Sequence, residues 1–395
     1  MLNPVLLNLS FLFAKPTGIT TYAFNLFPHL QPLNPTLLIA PEVAQLSPTA
    51  SAFNCYPVPA NLTPAQGSKG HLRRLLWTQL QVPRIYRQLH SPLLFSPLPE
   101  APLFTNCRYV VTVHDLIPLR FPQRHSPLTI YFRYYIPQVL AQAQHIICDS
   151  TATAQDITHF FDIPASKITP VLLAYNAEHF RVLDLSHGER QTRRRETQQT
   201  RRMEMPPENS LTQEREKNCS YFLYIGRHDP YKNLHRLIEA FAGLPNHRDY
   251  ELWITGPTDE RYTPLLIAQA AQLGIATQVK FLNYVPYEKL PIIINQAIAL
   301  VFPSLWEGFG LPVLEAMACG TPVITSNLSS LPEAAGNAAL LIDPYKTGEI
   351  TEAMQAIATD SQLRSHLSTL GLARVSQLSW AKTGQATVEV LKRYL

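Results

Sequence analysis

The stretch Phe302-Pro303-Ser304-Leu305-Trp306-Glu307-Gly308-Phe309-Gly310-Leu311-Pro312-Val313-Leu314-Glu315-Ala316-Met317-Ala318-Cys319-Gly320-Thr321-Pro322 decides the reading of the chain. The apolar run Ala299-Phe302 reads as a strand that enters a glycine-containing loop, and Pro312 suits the first turn of a following helix. The N–H groups at such a helix start have no partner inside the helix and bind phosphate or another oxyanion. Glycines let a ligand come close to the backbone. Glu307 and Glu315 bracket the loop. A carboxylate beside phosphate-binding amides repels phosphate, but it accepts hydrogen bonds from a diol, so ribose and hexose hydroxyls are its natural partners. Taken singly, Glu307 is equally compatible with a loop cap and Glu315 with a salt bridge.

Outward from this stretch the same alternation repeats. Tyr221-Ile225, Glu251-Thr255, Val279-Leu282, Ala299-Phe302 and Pro322-Thr325 are short apolar runs separated by helix-capable segments, and so are Val5-Leu9, Thr36-Ala40, Leu93-Ser96, Tyr109-Val113 and His145-Asp149. Runs of this kind belong to parallel sheets covered by helices on both faces. With 395 residues, 46% of them apolar, the chain is long enough for two such domains, each with its own core. The boundaries predicted are an N-terminal domain over 1–185, an insertion over 186–220, a C-terminal domain over 221–377 and a closing helix over 378–395. The insertion contains Arg193-Arg194-Arg195 and Arg201-Arg202 among Glu, Gln and Thr, with almost no branched apolar residue. Such a composition buries too little surface to order itself and predicts a disordered, solvated link. The closing helix is signalled by Ser379 as its cap and by Val388, Leu391 and Leu395 at helical spacing.

A second chemical cluster opens the C-terminal half. Tyr221-Ile225 leads into Gly226, and Arg227 and Lys232 leave the strand's carboxyl end ahead of a helix beginning near Leu234. Ligands of open α/β sheets bind at that edge. A forked donor and a point charge there suit a diphosphate, the alternative being two solvated loop cations.

Composition narrows the function classes. A net charge of +4 over this length is too diffuse for nucleic acid. Cys55, Cys107, Cys148, Cys219 and Cys319 show no C-x-x-C pair, so they read as packed thiols of a reducing compartment rather than zinc ligands or disulfides. Met1 to Phe13 lacks the basic leader and cleavage site of a signal peptide and reads as a first core strand. No apolar run reaches the ~20 residues of a spanning helix. Membrane contact would be peripheral, and Lys69 to His90 is the stretch compatible with it. There Lys69, Arg73, Arg74, Arg84 and Arg87 accompany Leu72, Leu75, Leu76 and Trp77, although an ordinary domain-surface helix has the same pattern.

Together these stretches resemble the retaining glycosyltransferases of family 4, the "glycosyl transferases group 1" domain. Glu307 and Glu315 match the family's pair of acids separated by seven residues, with Gly308-Phe309-Gly310 between them, and Gly226, Arg227, Lys232 and Gly320-Thr321-Pro322-Val323-Ile324 fit as well. The resemblance implies the GT-B architecture: two Rossmann-like doubly wound domains facing a cleft, with the C-terminal helix closing back toward the N-terminal domain. It also implies that Arg227 and Lys232 hold the donor diphosphate, Glu307 faces the transferred sugar and Glu315 grips ribose. Amides from Gly308 through Phe309 and Gly310 to Leu311 would complete those contacts, while Gly256 with Tyr284 and Val285 would hold the base. In the N-terminal half, Gly18-Ile19-Thr20-Thr21-Tyr22 resembles the glycine loop over the donor phosphate, with Thr21 where many relatives carry Arg. Thr112-Val113-His114-Asp115 matches a His-Asp segment in which His114 faces the donor sugar.

The function so implied is transfer of a hexose from a nucleotide-diphosphate sugar to an acceptor hydroxyl with retention. The donor would be GDP-mannose, as the first choice, or a UDP-hexose. The acceptor would be a carbohydrate or a lipid-linked one, as in polysaccharide, lipopolysaccharide or glycolipid synthesis. The lack of a D-x-D pair after a strand predicts transfer without a metal or other cofactor, and the expected place of work is the cytoplasm or the inner face of its membrane. The alternative from another class is a catalytically silent sugar-nucleotide-binding scaffold that partners an active transferase.

Overall fold

A computed structural model describes residues 4–13, 17–123, 126–184, 220–283 and 285–395. The predicted insertion lies outside the described residues except for Ser220, and Tyr284 and Cys219 lie outside them too. Among the described residues seven strands precede residue 185: β1 (Leu6–Asn8), β2 (Thr36–Ile39), β3 (Asn54–Pro57), β4 (Leu94–Ser96), β5 (Tyr109–Val113), β6 (His145–Cys148) and β7 (Ile168–Pro170). They form one parallel sheet in the order β3-β2-β1-β4-β5-β6-β7. Six more follow: β8 (Ser220–Ile225), β9 (Tyr250–Thr255), β10 (Val279–Leu282), β11 (Ala299–Phe302), β12 (Val323–Ser326) and β13 (Leu340–Ile342). Their parallel order is β10-β9-β8-β11-β12-β13.

The architecture is GT-B: two Rossmann-like domains face each other across a cleft. The order reverses between β1 and β4 in the first sheet and between β8 and β11 in the second, and ligands of such sheets bind beyond the strand ends at the reversal. The central strands are buried on both faces, as their unbroken apolar runs require. The edge strands are different. Three of the four residues of β3 are exposed, and so is Cys55 within it, against the expectation of a packed thiol; Cys107, Cys148 and Cys319 are buried.

The closing helix spans Trp380–Lys392 and is capped by Ser379, whose hydroxyl accepts from the Lys382 N–H. Val388 and Leu391 are buried, whereas Leu395 lies past the helix end and is exposed. The helix docks on the N-terminal domain. Thr383 Oγ1 donates to the Leu172 carbonyl at 2.8 Å, and the Tyr394 hydroxyl meets His145 Nδ1 at 2.9 Å with the rings stacked. Among the described residues no helix is long and apolar enough to cross a membrane.

Candidate active site

The two reversal points face one another, and the space between them is a cavity of about 420 Å³, within the range of small-molecule sites. Helix Gly18–Leu26 enters it from the N-terminal domain and helix Leu311–Ala318 from the C-terminal domain. The expected glycine loop is therefore the first turn of a helix. Thr17 caps it in a reciprocal box with Thr20, which leaves the amides of Gly18 and Ile19 at the cavity wall.

The loop 303–310 is held from behind by groups that sequence reasoning did not single out. Ser329 Oγ accepts from the Glu307 N–H at 3.0 Å and donates to the Glu307 carbonyl at 2.7 Å, while the Ser330 hydroxyl lies 2.9 Å from the Phe309 carbonyl. Asn233, fully buried with φ of +64°, donates to the carbonyls of Pro303 and Pro344, and Leu305 N–H donates to the Tyr231 carbonyl. The loops after β8 and β11 are thus tied to each other. Gly308 meets a different requirement from ligand access: a Cβ there would lie 2.3 Å from the His114 carbonyl oxygen of the opposite domain. Only glycine lets the two backbones approach that closely.

Other contacts cross the cleft beside it. The Ser150 hydroxyl donates to the Gly308 carbonyl at 2.8 Å, and Glu333 accepts from the N–H and hydroxyl of Thr151 at 2.8 and 2.9 Å. The Arg120 guanidinium lies 3.4 Å over the Trp306 ring, and Phe121 stacks on Tyr231.

Within the cavity the sequence-predicted residues divide. His114, Lys232, Glu307, Glu315, Gly18, Gly226, Val285, Gly308, Phe309, Gly310 and Leu311 all line it. Arg227 does not: its side chain is two-thirds exposed, and its Nε pairs with Asp229 at 2.9 Å. Gly256 lies off the lining as well, with φ of +148°, and a Cβ on it would lie 1.9 Å from the Gly226 carbonyl oxygen. Its glycine is required by the packing of two strand-end loops. Tyr287, not predicted, lines the cavity beside Val285 and stacks on His179 at 3.9 Å.

Three charge arrangements set the chemistry. Lys232 Nζ pairs with Glu307 Oε1 at 2.6 Å, with both side chains almost buried. The Glu315 carboxyl makes no hydrogen bond or ion pair among the described residues, and burial alone pushes its pKa up to about 7. His114 offers no free ring nitrogen, since Nδ1 lies 2.7 Å from Asp149 Oδ2 and Nε2 lies 2.9 Å from the Pro97 carbonyl. Burial opposes its charge, yet Asp149 and that carbonyl outweigh burial and hold the imidazole pKa above its ordinary value. With both ring nitrogens facing acceptors, His114 offers the cavity no unengaged donor. Asp149, at the carboxyl end of β6, is the partner that sequence reasoning missed; its place at a strand end was the available signal.

Residues 16–177 match the family described as Glycosyltransferase Family 4, and residues 208–371 match Glycosyl transferases group 1. Over 293 residues the chain is 30% identical to the O-antigen chain mannosyltransferase B of Escherichia coli, which covers 72% of this chain and 70% of that protein. It is 28% identical over 291 residues to the serotype-specific mannosyltransferase WbdA of Escherichia coli, covering 72% of this chain and 33% of that longer protein. The crystal structure of Anabaena Alr3699/HepE in complex with UDP-glucose matches with a TM-score of 0.72 at 16% identity, over 99% of each chain.

Proposed function

The chain belongs to glycosyltransferase family 4, and from that membership we propose that it transfers a hexose, mannose in the first instance, from a nucleotide-diphosphate donor to an acceptor hydroxyl with retention. The observation that carries this reading is the cavity itself: two helix N-termini facing one space that holds the Lys232–Glu307 pair and an unpaired Glu315. Amides at helix starts and a lysine suit a diphosphate, and the two carboxylates suit hydroxyls. The mannosyl donor is supported by the names of the relatives, and the nucleotide sugar by the ligand of the HepE structure. The O-antigen relative supports polysaccharide or lipopolysaccharide synthesis, on the cytoplasmic side where free thiols persist.

In this reading the base lies along Val285 and Tyr287, the ribose hydroxyls bind Glu315, and the diphosphate spans the amides of Gly308 to Leu311. Arg227 reaches the diphosphate by releasing Asp229. Lys232 turns from Glu307 to the leaving phosphate, which frees Glu307 to accept from the sugar. The bond between the anomeric carbon and the phosphate oxygen breaks, and the acceptor oxygen bonds to that carbon from the same face. The acceptor's proton passes to a phosphate oxygen. Negative charge growing on the leaving group is met by Lys232 and the helix amides, so no divalent ion is required.

The test is calorimetry with nucleoside diphosphate and intact donor beside transfer rates. Glu315→Ala should weaken both ligands, because ribose is common to them, whereas Glu307→Ala should leave the nucleoside diphosphate no weaker and damage transfer. The opposite affinity pattern overturns the division of roles. Donor binding without any cleavage favours the silent scaffold.

A further inference from the structure

The helix Gly67–Leu80 turns Gly70, Arg74 and Thr78 inward and stacks His71 against Tyr131. Arg74 is not part of a surface cluster. Its Nε and Nη2 reach both oxygens of buried Glu100 at 2.7 Å. The opposite side of the helix carries Leu72, Leu76 and Leu80, which are 59%, 55% and 59% exposed. Four-residue spacing makes them one stripe along a single face. Phe104 continues it: this ring is 83% exposed, and Leu103 beside it donates its N–H to Gln79 Oε1 at 2.8 Å, next to Leu80. Trp77, by contrast, packs against the core.

Bases surround this apolar stripe. Lys69 and Arg73 are exposed on the same outward side of the helix, and Arg84 and Arg87 are exposed on the next helix, Val82–Gln88. Arg108 N–H lies 3.4 Å from the Tyr86 hydroxyl, which brings the exposed Arg108 beside that helix. Between Glu42 and Glu100 the sequence has no Asp or Glu, so nothing acidic along this segment offsets these charges. Leucines and a phenylalanine ringed by lysine and arginine are complementary to a surface that is apolar below and anionic at the rim.

We propose that this face docks the N-terminal domain on the surface of an anionic lipid bilayer. Leu72, Leu76, Leu80 and Phe104 enter the boundary between headgroups and acyl chains, and Lys69, Arg73, Arg84 and Arg87 lie among the lipid phosphates. The docking is independent of the transfer chemistry and is read without any nucleotide sugar.

The experiment is co-sedimentation of the full chain with vesicles of phosphatidylcholine alone or mixed with phosphatidylglycerol, at low and high salt. Binding should appear with the anionic lipid and weaken with salt. Arg73→Gln with Arg84→Gln should lower the partition coefficient by about fivefold per charge. Leu76→Ser with Phe104→Ser should lower it by about fivefold per side chain, since each loses roughly half of a full apolar burial. Thermal unfolding should be little changed in both pairs, because these side chains are exposed. Leu265→Ser, at an exposed leucine of the C-terminal domain, should bind like the parent. Absence of binding to anionic vesicles, binding indifferent to phosphatidylglycerol, or unchanged binding by both variant pairs overturns the proposal. So does a parent dimer that Leu76→Ser dissociates while vesicle binding persists, because the face then belongs to a second copy of the chain.

Discussion

Replacing Glu315 by glutamine should make the protein more stable and a poorer ligand of its donor, each with a defined dependence on pH. The carboxyl has a pKa of about 7 in the folded cavity against an ordinary value of 4.5. An acid whose pKa rises on folding binds its proton more tightly in the native state, so ionisation costs the native state stability. That cost is absent below pH 4.5, grows between 4.5 and 7 and is complete above 7. At 1.36 kcal/mol per unit the shift corresponds to about 3 kcal/mol, an upper figure because the side chain is only half-buried and the cavity admits water. Glu315→Gln should therefore unfold several degrees higher than the parent at pH 8 and at about the same temperature at pH 4.5. Binding supplies the opposite signature. If the ionised carboxylate accepts from ribose, the free protein must first lose its proton, so donor affinity should fall about tenfold between pH 8 and pH 6. Intact donor is the ligand to use, since its diphosphate is esterified at both ends and does not titrate in this window. The glutamine variant should bind more weakly at pH 8 and lose this slope. A variant that keeps the parent's tenfold fall, or that is no more stable at pH 8, refutes the assignment.

Lys232→Ala should slow transfer by roughly 30- to 1000-fold, the equivalent of ~2–4 kcal/mol of transition-state stabilisation. It should also destabilise the fold by leaving Glu307 without its partner, and Glu307→Ala added to it should recover much of that loss in a thermal double-mutant cycle. Gly308→Ala should leave each domain folded by circular dichroism yet lower turnover, because its Cβ would lie 2.3 Å from the His114 carbonyl and push the domains apart. Transfer should continue in EDTA after metal removal, and activity restored only by magnesium or manganese would count against a lysine serving the leaving group.

The parts of this fold that the sequence made legible are those where one local rule governs. Val110, Val111, Ile146, Leu300 and Val301 sit in strands buried on both faces, and unbroken apolar runs announce such strands. β3, β7 and β13 were not visible because each is a short edge strand with one neighbour and no continuous buried run. The site followed the same division. Glu307, Glu315 and the loop glycines share one motif, so their convergence on the cavity was readable. The Lys232–Glu307 pair joins positions 75 apart, and His114–Asp149 joins two strand ends 35 apart. Pairings of that kind are products of topology, and no local spacing encodes them. Arg227 illustrates the same point from the other side: its position after β8 was clear, but whether it turns to the cavity or to Asp229 is decided by local electrostatics.

The proposed chemistry is cleavage of a nucleotide sugar in this cavity with Lys232 serving the leaving diphosphate. The most direct measurement is the single-turnover release of nucleoside diphosphate from GDP-mannose and from UDP-glucose, comparing parent with folded Lys232→Ala. The parent should release nucleoside diphosphate from at least one donor, and the variant should do so at a rate lower by roughly 30- to 1000-fold. A parent that binds donor and leaves it intact, or a variant that matches the parent's rate, contradicts that chemistry.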